Sequence, residues 1–284
     1  MPRTPRVAII GAGRLATSLA LALRACGYTI TEIISRDLPG SGRSARQLAA
    51  KIGARAVTAQ SARLDAALLW FCVPDRQIPA AAAALSMRAR GKVRFAFHSS
   101  GALTSHELDS LRKRGTAIAS VHPLMTFVPG SHPSLKGVPF AVEGDAAATR
   151  LARQIVDNLG GASFTLPVAR KAAYHTWATL TSPLFLAFLV TLEETARAAG
   201  LTRADSRRKS LPIIRQTLEN YSRLGPGHSF SGPIIRGDVE TVAKHLAVLR
   251  RHSEARDVYL ALARSALRRL PVKNRKKLRK LLQD

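Results

Sequence analysis

The chain has 284 residues, of which 46% are hydrophobic, and this length and composition predict two domains with sizeable cores. Its 44 lysines and arginines outnumber its 18 aspartates and glutamates, so the formal net charge is +26, whereas aromatic residues make up only 5%. The longest apolar run, near Pro183–Leu192, is shorter than the roughly 18–20 residues of a membrane-spanning helix.

The two cysteines and the first residues predict the compartment. Cys26 and Cys72 lie in apolar surroundings, which favours buried thiols over a disulfide or a metal site. The first predicted strand follows the N-terminus directly, with no signal peptide ahead of it. We therefore expect a cytoplasmic protein with no membrane partner and no metal.

The first half of the chain alternates strand-like and helix-like segments, which is typical of a doubly wound α/β sheet. An apolar strand, Val7–Ile10, comes first, and a helix over Leu15–Ala25 follows it. The further predicted strands are Thr29–Ile34, Ala66–Val73, Val93–Phe97, Ala117–Val121 and Pro139–Val142, and the further predicted helices are Ser44–Ile52, Pro79–Met87 and Leu103–Arg114.

After about Leu166 the strand signals stop, so we predict a doubly wound α/β domain over residues 1–166 and an all-helical domain over residues 167–284. A loop, LGPGHSFSGPIIRGD, divides the helical domain. The basic tail after Leu267 predicts a frayed helix or a contact for a polyanion. The predicted helices are Val168–Ala199 with an interruption at Pro183, Asp205–Leu224, Asp238–Arg251 and Ser253–Leu270.

The turn between the first strand and the first helix reads GAGRLA, a form of the dinucleotide-binding pattern G-x-G-x-x-A. Gly11 permits a tight turn, Gly13 lets the backbone approach a pyrophosphate, and Ala16 lets the helix pack close to the strand. The helix N-terminus, at Arg14 and Leu15, offers free N–H groups to phosphates. The pattern predicts a dinucleotide site, and its alternative is a tight turn that binds nothing.

The second predicted strand ends at Ser35 and Arg36, where an NAD site would usually place a carboxylate on the ribose hydroxyls. A carboxylate would repel a 2′-phosphate, whereas a serine and a guanidinium can bind it. The pair therefore favours NADP over NAD as the cofactor. The alternative is that Arg36 is only a solvated turn residue.

The third strand ends at Val73, Pro74 and Asp75. In open α/β sheets, ligands bind beyond the carboxyl ends of the strands. We therefore predict that these three residues line the ribose or nicotinamide side of the cofactor. Asp75 could equally be a helix cap.

The next two strands also end in polar residues. His98, Ser99, Ser100 and Gly101 suit a loop that faces the nicotinamide and the substrate, although the serines could instead cap the following helix. His122 ends a further strand and could face the same cleft or be structural. We assign the two serines and Gly101 to the cofactor, and the two histidines to the substrate.

The positive charge admits three explanations. Anionic ligands such as NADP and carboxylate substrates need only a few basic residues. A nucleic acid would need a basic face with aromatic residues or a recognition helix, and the sequence has no recognised motif of that kind. An arginine-rich composition with a solvated basic surface is the explanation that we favour, so we expect no nucleic-acid partner.

The segments GAGRLATSLA, VPD, HSSGAL, SVHPLMTF, KAAYH and SGPIIRGDVETVAKHL occur in an order that covers nearly the whole chain. In this series the chain resembles Rossmann-like NADP oxidoreductases with a C-terminal helical domain of unknown function. These are similar to ketopantoate reductase, pyrroline-5-carboxylate reductase and the deazaflavin-dependent NADP oxidoreductases. The resemblance implies a 6-phosphogluconate dehydrogenase-like arrangement and a homodimer paired through the helical domain.

The resemblance also implies catalytic residues. The wider group of β-hydroxyacid dehydrogenases uses a lysine with an asparagine four residues later, and Lys171 and His175 have that spacing. Lys171 would be the acid, and His175 an orienting group or an alternative acid. Ser182 keeps one hydrogen-bonding group where relatives often have a serine–asparagine pair, but Pro183 replaces the amide. This departure implies a changed substrate or lost activity.

The segment SGPIIRGD is the second signature. Arg236 could bind a substrate carboxylate or form a structural ion pair, and Asp238 is expected to cap the helix that follows.

Taken together, these residues predict an NADPH-dependent oxidoreductase that reduces a small carbonyl compound, with a 2-oxo acid such as ketopantoate as an example. A pyrroline-5-carboxylate-type imine reductase and a non-catalytic NADP(H)-binding sensor or scaffold are the alternatives.

Overall fold

The computed structural model describes residues 4–36, 39–89 and 92–283. The chain forms two compact units, Met1–Thr179 and Leu180–Asp284. The division between them falls at the end of the helix that follows the sheet, whereas the predicted domain boundary, between residues 166 and 167, precedes that helix.

The N-terminal unit is built on a sheet whose eight described strands have the order β3-β2-β1-β4-β5-β6-β7-β8. The first six strands run parallel, β7 runs antiparallel to β6, and β8 is parallel to β7. The predicted doubly wound α/β fold is therefore confirmed. The strands are β1 (Val7–Ile10), β2 (Ile30–Ser35), β3 (Arg55–Thr58), β4 (Leu68–Phe71), β5 (Phe95–His98), β6 (Ala117–Pro123), β7 (Pro139–Gly144) and β8 (Ala162–Thr165).

Helices on both faces bury the central strands completely, which explains why β1 and β4 read as continuous apolar runs. Alternate residues of these strands enter two separate cores. Trp70 and Phe97 pack in one, and Phe71 packs in the other. The helices of this unit are α1 (Arg14–Ala25), α2 (Pro39–Ile52), α3 (Ile78–Ser86), α4 (Asp109–Arg112), α5 (Ala146–Asn158) and most of α6 (Lys171–Thr181).

Three elements of this unit are absent from the sequence-based prediction. The strands β3 and β8 lie at the two edges of the sheet and are only partly buried, so they lack a strong apolar run. The helix α5 did carry a signal, because its buried residues recur at helical spacing. These residues are Ala148, Ala152, Ile155 and Val156.

The C-terminal unit is helical in its described residues, as predicted. The predicted loop after Leu224 is wrong in part, because helical structure resumes at Pro226 after a break at Gly225, whose φ is 71°. Proline suits a first helical turn, which explains the restart. The helices are α7 (Pro183–Arg197), α8 (Arg203–Ser229), α9 (Pro233–Arg236), α10 (Val239–Leu249), α11 (Ser253–Arg269) and α12 (Arg275–Leu281).

The basic tail is a packed helix rather than a frayed one. Leu278 and Leu282 lie one turn apart and are 0% and 1% exposed in a core that α10 and α11 share with α12. The prediction of fraying is therefore wrong, because one apolar stripe in a charged segment is enough to dock a short helix.

One helical stretch, Val168–Arg197, is long and apolar enough by length and composition to cross a membrane, with a mean hydropathy of 1.3 in its most apolar window. The sequence pattern does not predict this stretch, because a proline such as Pro183 usually interrupts a helix. Pro183 instead occupies the first turn of α7, where proline is tolerated, so α6 and α7 follow each other directly. The start of the stretch carries buried Lys171 and Tyr174, which pack within the N-terminal unit.

The two cysteines are free thiols. Cys72 is partly buried, but Cys26 is exposed and its thiol donates to the Asn158 carbonyl at 3.1 Å. The prediction of a buried thiol is wrong for Cys26, because this residue caps the end of α1 outside its buried face.

Candidate functional site

The glycine turn after β1 combines one crowded position with one open position. Gly11 has φ +107°, and a Cβ there would lie 2.4 Å from the Cys72 carbonyl oxygen, so the ends of β1 and β4 pack backbone to backbone. Gly13 faces open space, since a Cβ there would meet nothing within 4 Å. It precedes α1, which begins at Arg14 without a side-chain cap. The first-turn N–H groups are thus available to an anion.

A cavity of about 680 Å³ adjoins this turn. Gly11 and Gly13 line it together with four other predicted cofactor residues, Ser35, Arg36, Val73 and Pro74. Sequence reasoning missed further polar lining residues, whose only signal was their position shortly after strand ends and in the following helices. These are Ser41, Ser44, Gln60, Arg76 and Gln77.

The remaining predicted residues of the glycine turn do not line the cavity. Arg14 is exposed, and its guanidinium donates to the Phe127 carbonyl at 3.3 Å. Leu15 is half-buried. Ala16 is fully buried in the core, where a larger side chain would push α1 off the sheet. The bare backbone, the uncapped helix and the cavity together fit an adenine dinucleotide.

Ser100 organises the loop after β5. Its hydroxyl donates to the Asp75 carboxylate at 2.8 Å and accepts from the Leu103 N–H at 2.9 Å. Its own N–H donates to Nδ1 of His98 at 3.1 Å, and Nε2 of His98 lies 2.8 Å from the Thr104 carbonyl. His98 must therefore carry its proton on Nε2. Burial lowers the pKa of His98 to about 4, so this imidazole is neutral at pH 7.

Ser99 is anchored by β4, because its hydroxyl accepts a hydrogen bond from the indole N–H of Trp70 at 2.9 Å. Asp75, His98, Ser99 and Ser100 thus bond to protein groups and shape the loop. Their assignments to cofactor or substrate stay predictions, and for His98 this geometry favours a structural role, because both ring nitrogens are engaged.

Lys171 reaches the same loop from the start of α6. It is 2% exposed, and its Nζ donates to Ser120 Oγ at 2.6 Å and to the Ser100 carbonyl at 2.9 Å. Burial lowers the pKa of Lys171 to about 8, against the opposing influence of the Glu143 and Asp75 carboxylates. An ammonium with such a pKa can release its proton near neutral pH.

Two imidazoles flank Gly101. A Cβ on Gly101 would lie 2.8 Å from His122 Nε2 and 2.8 Å from His175 Cδ2, so only glycine fits between these rings. The other ring nitrogen of His122, Nδ1, lies 2.7 Å from the hydroxyl of Tyr174. The fold thus gathers Lys171, His175, His122 and Gly101 at the carboxyl ends of β5 and β6. Tyr174 was missed, although its place three residues after Lys171 was a signal.

The other two predicted site residues, Ser182 and Arg236, lie in the C-terminal unit. Ser182 precedes α7 without a side-chain capping bond, and Arg236 ends α9. Their functional assignments stay predictions. The predicted cap at Asp238 is confirmed, since its carboxylate accepts from the Thr241 N–H at 3.0 Å.

Two family models match the chain. Residues 6–93 match the model described as NADP oxidoreductase, coenzyme F420-dependent, and residues 138–266 match the domain of unknown function DUF2520. The chain carries an NADP oxidoreductase domain and a DUF2520 domain. The glycine turn, the cavity and the loop after β4 all lie within the NADP oxidoreductase domain, whereas Lys171, Tyr174 and His175 lie within the DUF2520 domain.

Solved structures share this two-domain fold. A Bacteroides fragilis protein described as an NADP oxidoreductase is 23% identical, with 92% of this chain and 97% of that chain covered and a TM-score of 0.76. A reductive aminase from Aspergillus terreus, in complex with NADPH and ethyl-5-oxohexanoate, is 17% identical over 94% of each chain, with a TM-score of 0.66. A pyrroline-5-carboxylate reductase from Coxiella burnetii is 16% identical over 93% of this chain and 98% of that one, with a TM-score of 0.58. No curated protein sequence matches the chain.

Proposed function

We propose that the protein is an NADPH-dependent reductase of a small carbonyl or imine compound that carries a carboxylate. The observation that supports this most is that both parts of the site lie on the same side of the sheet. The glycine turn with its cavity and the group of Lys171, His122 and His175 lie at the carboxyl ends of parallel strands. A dinucleotide held by the turn would therefore extend toward these side chains.

The lining of the cavity supports NADP over NAD. Ser35 and Arg36 follow β2, and none of the described lining residues is an aspartate or a glutamate. Such a lining accommodates the negative 2′-phosphate, for which a guanidinium is a good partner.

The chemistry follows from Lys171. When bound, NADPH supplies the hydride that adds to the carbonyl or imine carbon. Lys171 donates a proton from Nζ to the oxygen or nitrogen and regains one from water, which completes the alcohol or amine. The hydroxyl of Ser120 and the carbonyl of Ser100 hold Nζ in place, and His175, one turn later on the exposed side of α6, orients the substrate.

Ketopantoate and pyrroline-5-carboxylate are the two substrate candidates that we retain. The resemblance in sequence favours ketopantoate, whereas the structural likeness to a pyrroline-5-carboxylate reductase and to a reductive aminase favours an imine. A carboxylate on either substrate suits Arg236 and the net charge of +26. The departure at Ser182–Pro183 keeps a non-catalytic NADP(H) sensor as the second candidate function.

We also propose a homodimer and a cytoplasmic location. Large apolar side chains of α7 and α8 are half or more exposed in the single chain, which marks a surface for another protein. Free thiols fit a reducing compartment. The exposed residues include Leu186, Val190, Ile213, Leu218 and Tyr221.

Nucleotide titration tests the proposal first. NADPH is expected to bind more tightly than NADH, and Arg36→Ala is expected to remove this preference. Arg150→Ala, an exposed arginine on α5, is the matched control and should retain it. Rates of NADPH oxidation with ketopantoate and with pyrroline-5-carboxylate then identify which of the two compounds is the substrate. Absence of binding by both nucleotides refutes the proposal, and binding without turnover of any carbonyl or imine favours the sensor.

A further inference from the structure

The two ring nitrogens of His122 have different surroundings. Nδ1 lies 2.7 Å from the hydroxyl of Tyr174, and the two rings meet edge to face. Nε2 points toward Gly101 and has no hydrogen-bond partner among the described residues. One nitrogen is thus engaged by the protein, while the other lies beside Gly101, and the His175 ring is on the same side, with its centroid 6.5 Å from that of His122.

The hydrogen bond has a preferred direction. Tyr174 is 7% exposed, and burial raises its pKa to about 12, so its hydroxyl keeps its proton. That O–H has no other acceptor in the described part of the chain. If Tyr174 donates to Nδ1, the hydroxyl is satisfied, whereas the reverse direction leaves a buried O–H unpaired, which is unfavourable. Donation to Nδ1 places the imidazole proton on Nε2.

The imidazole is also neutral. Burial lowers the pKa of His122 to about 4, and the positive charge of nearby Lys171 acts in the same direction. A neutral Nε2–H can donate a hydrogen bond but does not readily give up its proton.

We propose that Tyr174 is a positioning residue that fixes His122 as the neutral Nε2–H tautomer, and that this N–H donates to the carbonyl oxygen of the substrate. The inference rests on the proposed function for the identity of the acceptor. A carbonyl oxygen keeps its lone pairs and gains negative charge as it is reduced, so a preorganised neutral donor stabilises the transition state. A protonated imine has no lone pair on nitrogen, so the same donor favours a carbonyl substrate. Lys171 remains the source of the proton.

The tautomer can be measured without any substrate. Two-dimensional ¹H–¹⁵N spectra of the histidine-labelled full chain, with His122 assigned through His122→Asn, distinguish a protonated Nε2 from a protonated Nδ1. We expect Nε2–H in the wild type and a mixture of tautomers in Tyr174→Phe.

A second tyrosine–histidine pair provides the control. Tyr259 OH lies 3.1 Å from His245 Nδ1 in the C-terminal unit, so Tyr259→Phe should leave the His122 signals unchanged. A wild-type His122 protonated on Nδ1 overturns the inference. Unchanged His122 signals in Tyr174→Phe overturn the role of Tyr174.

The donor role is tested in mixtures that cannot react. NADP⁺ with ketopantoate or pyruvate is expected to move the His122 Nε2–H resonance downfield in the wild type, and less so in Tyr174→Phe. With any 2-oxo acid that the enzyme reduces, Tyr174→Phe should have a kcat about tenfold lower than that of the wild type, whereas its affinity for NADPH should be unchanged. An unmoved resonance, with NADPH binding already established, overturns the donor role. Failure to bind NADPH refutes the proposed function instead, and the tautomer result is unaffected by it.

Discussion

At the scale of single residues, the candidate chemistry depends on one buried ammonium. Lys171 has its Nζ within 3 Å of two oxygens, and its pKa of about 8 lies below the usual 10.5 because burial disfavours the charged form. The acid role needs the protonated lysine, which predominates below pH 8. Its loss with rising pH should therefore set the alkaline limit of the reaction.

We expect kcat/KM to fall as the pH rises through about 8, and Lys171→Met to lower kcat at least about 100-fold while NADPH still binds. Stopped-flow or steady-state rates between pH 6 and 10 would measure both effects. Lys136→Met, an exposed lysine of the same unit, should behave as the wild type. A Lys171→Met variant with full activity would assign the proton to another group, with His175 as the first candidate.

At the scale of elements, the two glycines of the turn between β1 and α1 have different roles: Gly11 serves the fold, and Gly13 is proposed to serve binding. Gly11 has φ +107°, and a Cβ there would lie 2.4 Å from the Cys72 carbonyl oxygen, whereas Gly13 has φ −78° and faces open space. Alanine is acceptable to the backbone at Gly13 but not at Gly11.

Gly13→Ala is expected to leave the unfolding temperature unchanged or slightly raised, and to weaken NADPH binding about tenfold or more, because its methyl group would occupy the path of the pyrophosphate. Gly11→Ala should destabilise the fold by more than about 1 kcal/mol. Thermal unfolding and nucleotide titration of both variants check this. Equal NADPH affinity in Gly13→Ala and wild type would argue against a dinucleotide at this turn.

The basic helix α12 packs against α10 and α11 through a small number of leucine side chains. Leu278 is fully buried, so Leu278→Ala should lower the free energy of unfolding by about 2–5 kcal/mol. Leu262 lies on α11, is 51% exposed and is the matched control. Leu262→Ala should change the free energy of unfolding by less than about 0.5 kcal/mol. Denaturant titration measures both. Similar values for the two variants would mean that α12 contributes no packing in solution.

At the scale of the whole molecule, the proposed homodimer rests on apolar side chains of α7 and α8 that are exposed in the single chain. Ile213 is 68% exposed and Leu186 is 63% exposed. Burying such residues against a second copy removes them from water, which is the usual driving force of obligate dimers.

The wild type is expected to sediment at twice its chain mass of 30.6 kDa. Ile213→Glu should shift it toward the monomer, because a carboxylate buried in an apolar interface is costly. Val248→Glu, at a 55% exposed position on α10, should leave the dimer intact. A wild type that sediments as a monomer would refute the homodimer.

The sequence by itself determined the features that depend on neighbouring residues. The glycine turn, the buried parallel strands, the helical second half and the cap at Asp238 follow from local backbone geometry and short-range periodicity, so their residue patterns predicted them. The two edge strands escaped prediction because partial burial leaves no strong pattern. The helical structure that resumes at Pro226 escaped it because a segment rich in glycine and proline predicts a loop.

Only the tertiary structure decided which side chains meet. His122 and Tyr174 are separated by 52 positions, and Lys171 lies 71 positions from the Ser100 carbonyl that it binds. Packing across the fold engages both ring nitrogens of His98 in the loop after β5, which favours a structural role, and gives His122 a tyrosine partner. The substrate role of His98 stays a prediction. Hydrogen bonding and desolvation depend on contacts across the fold, and no local pattern in the chain records those contacts.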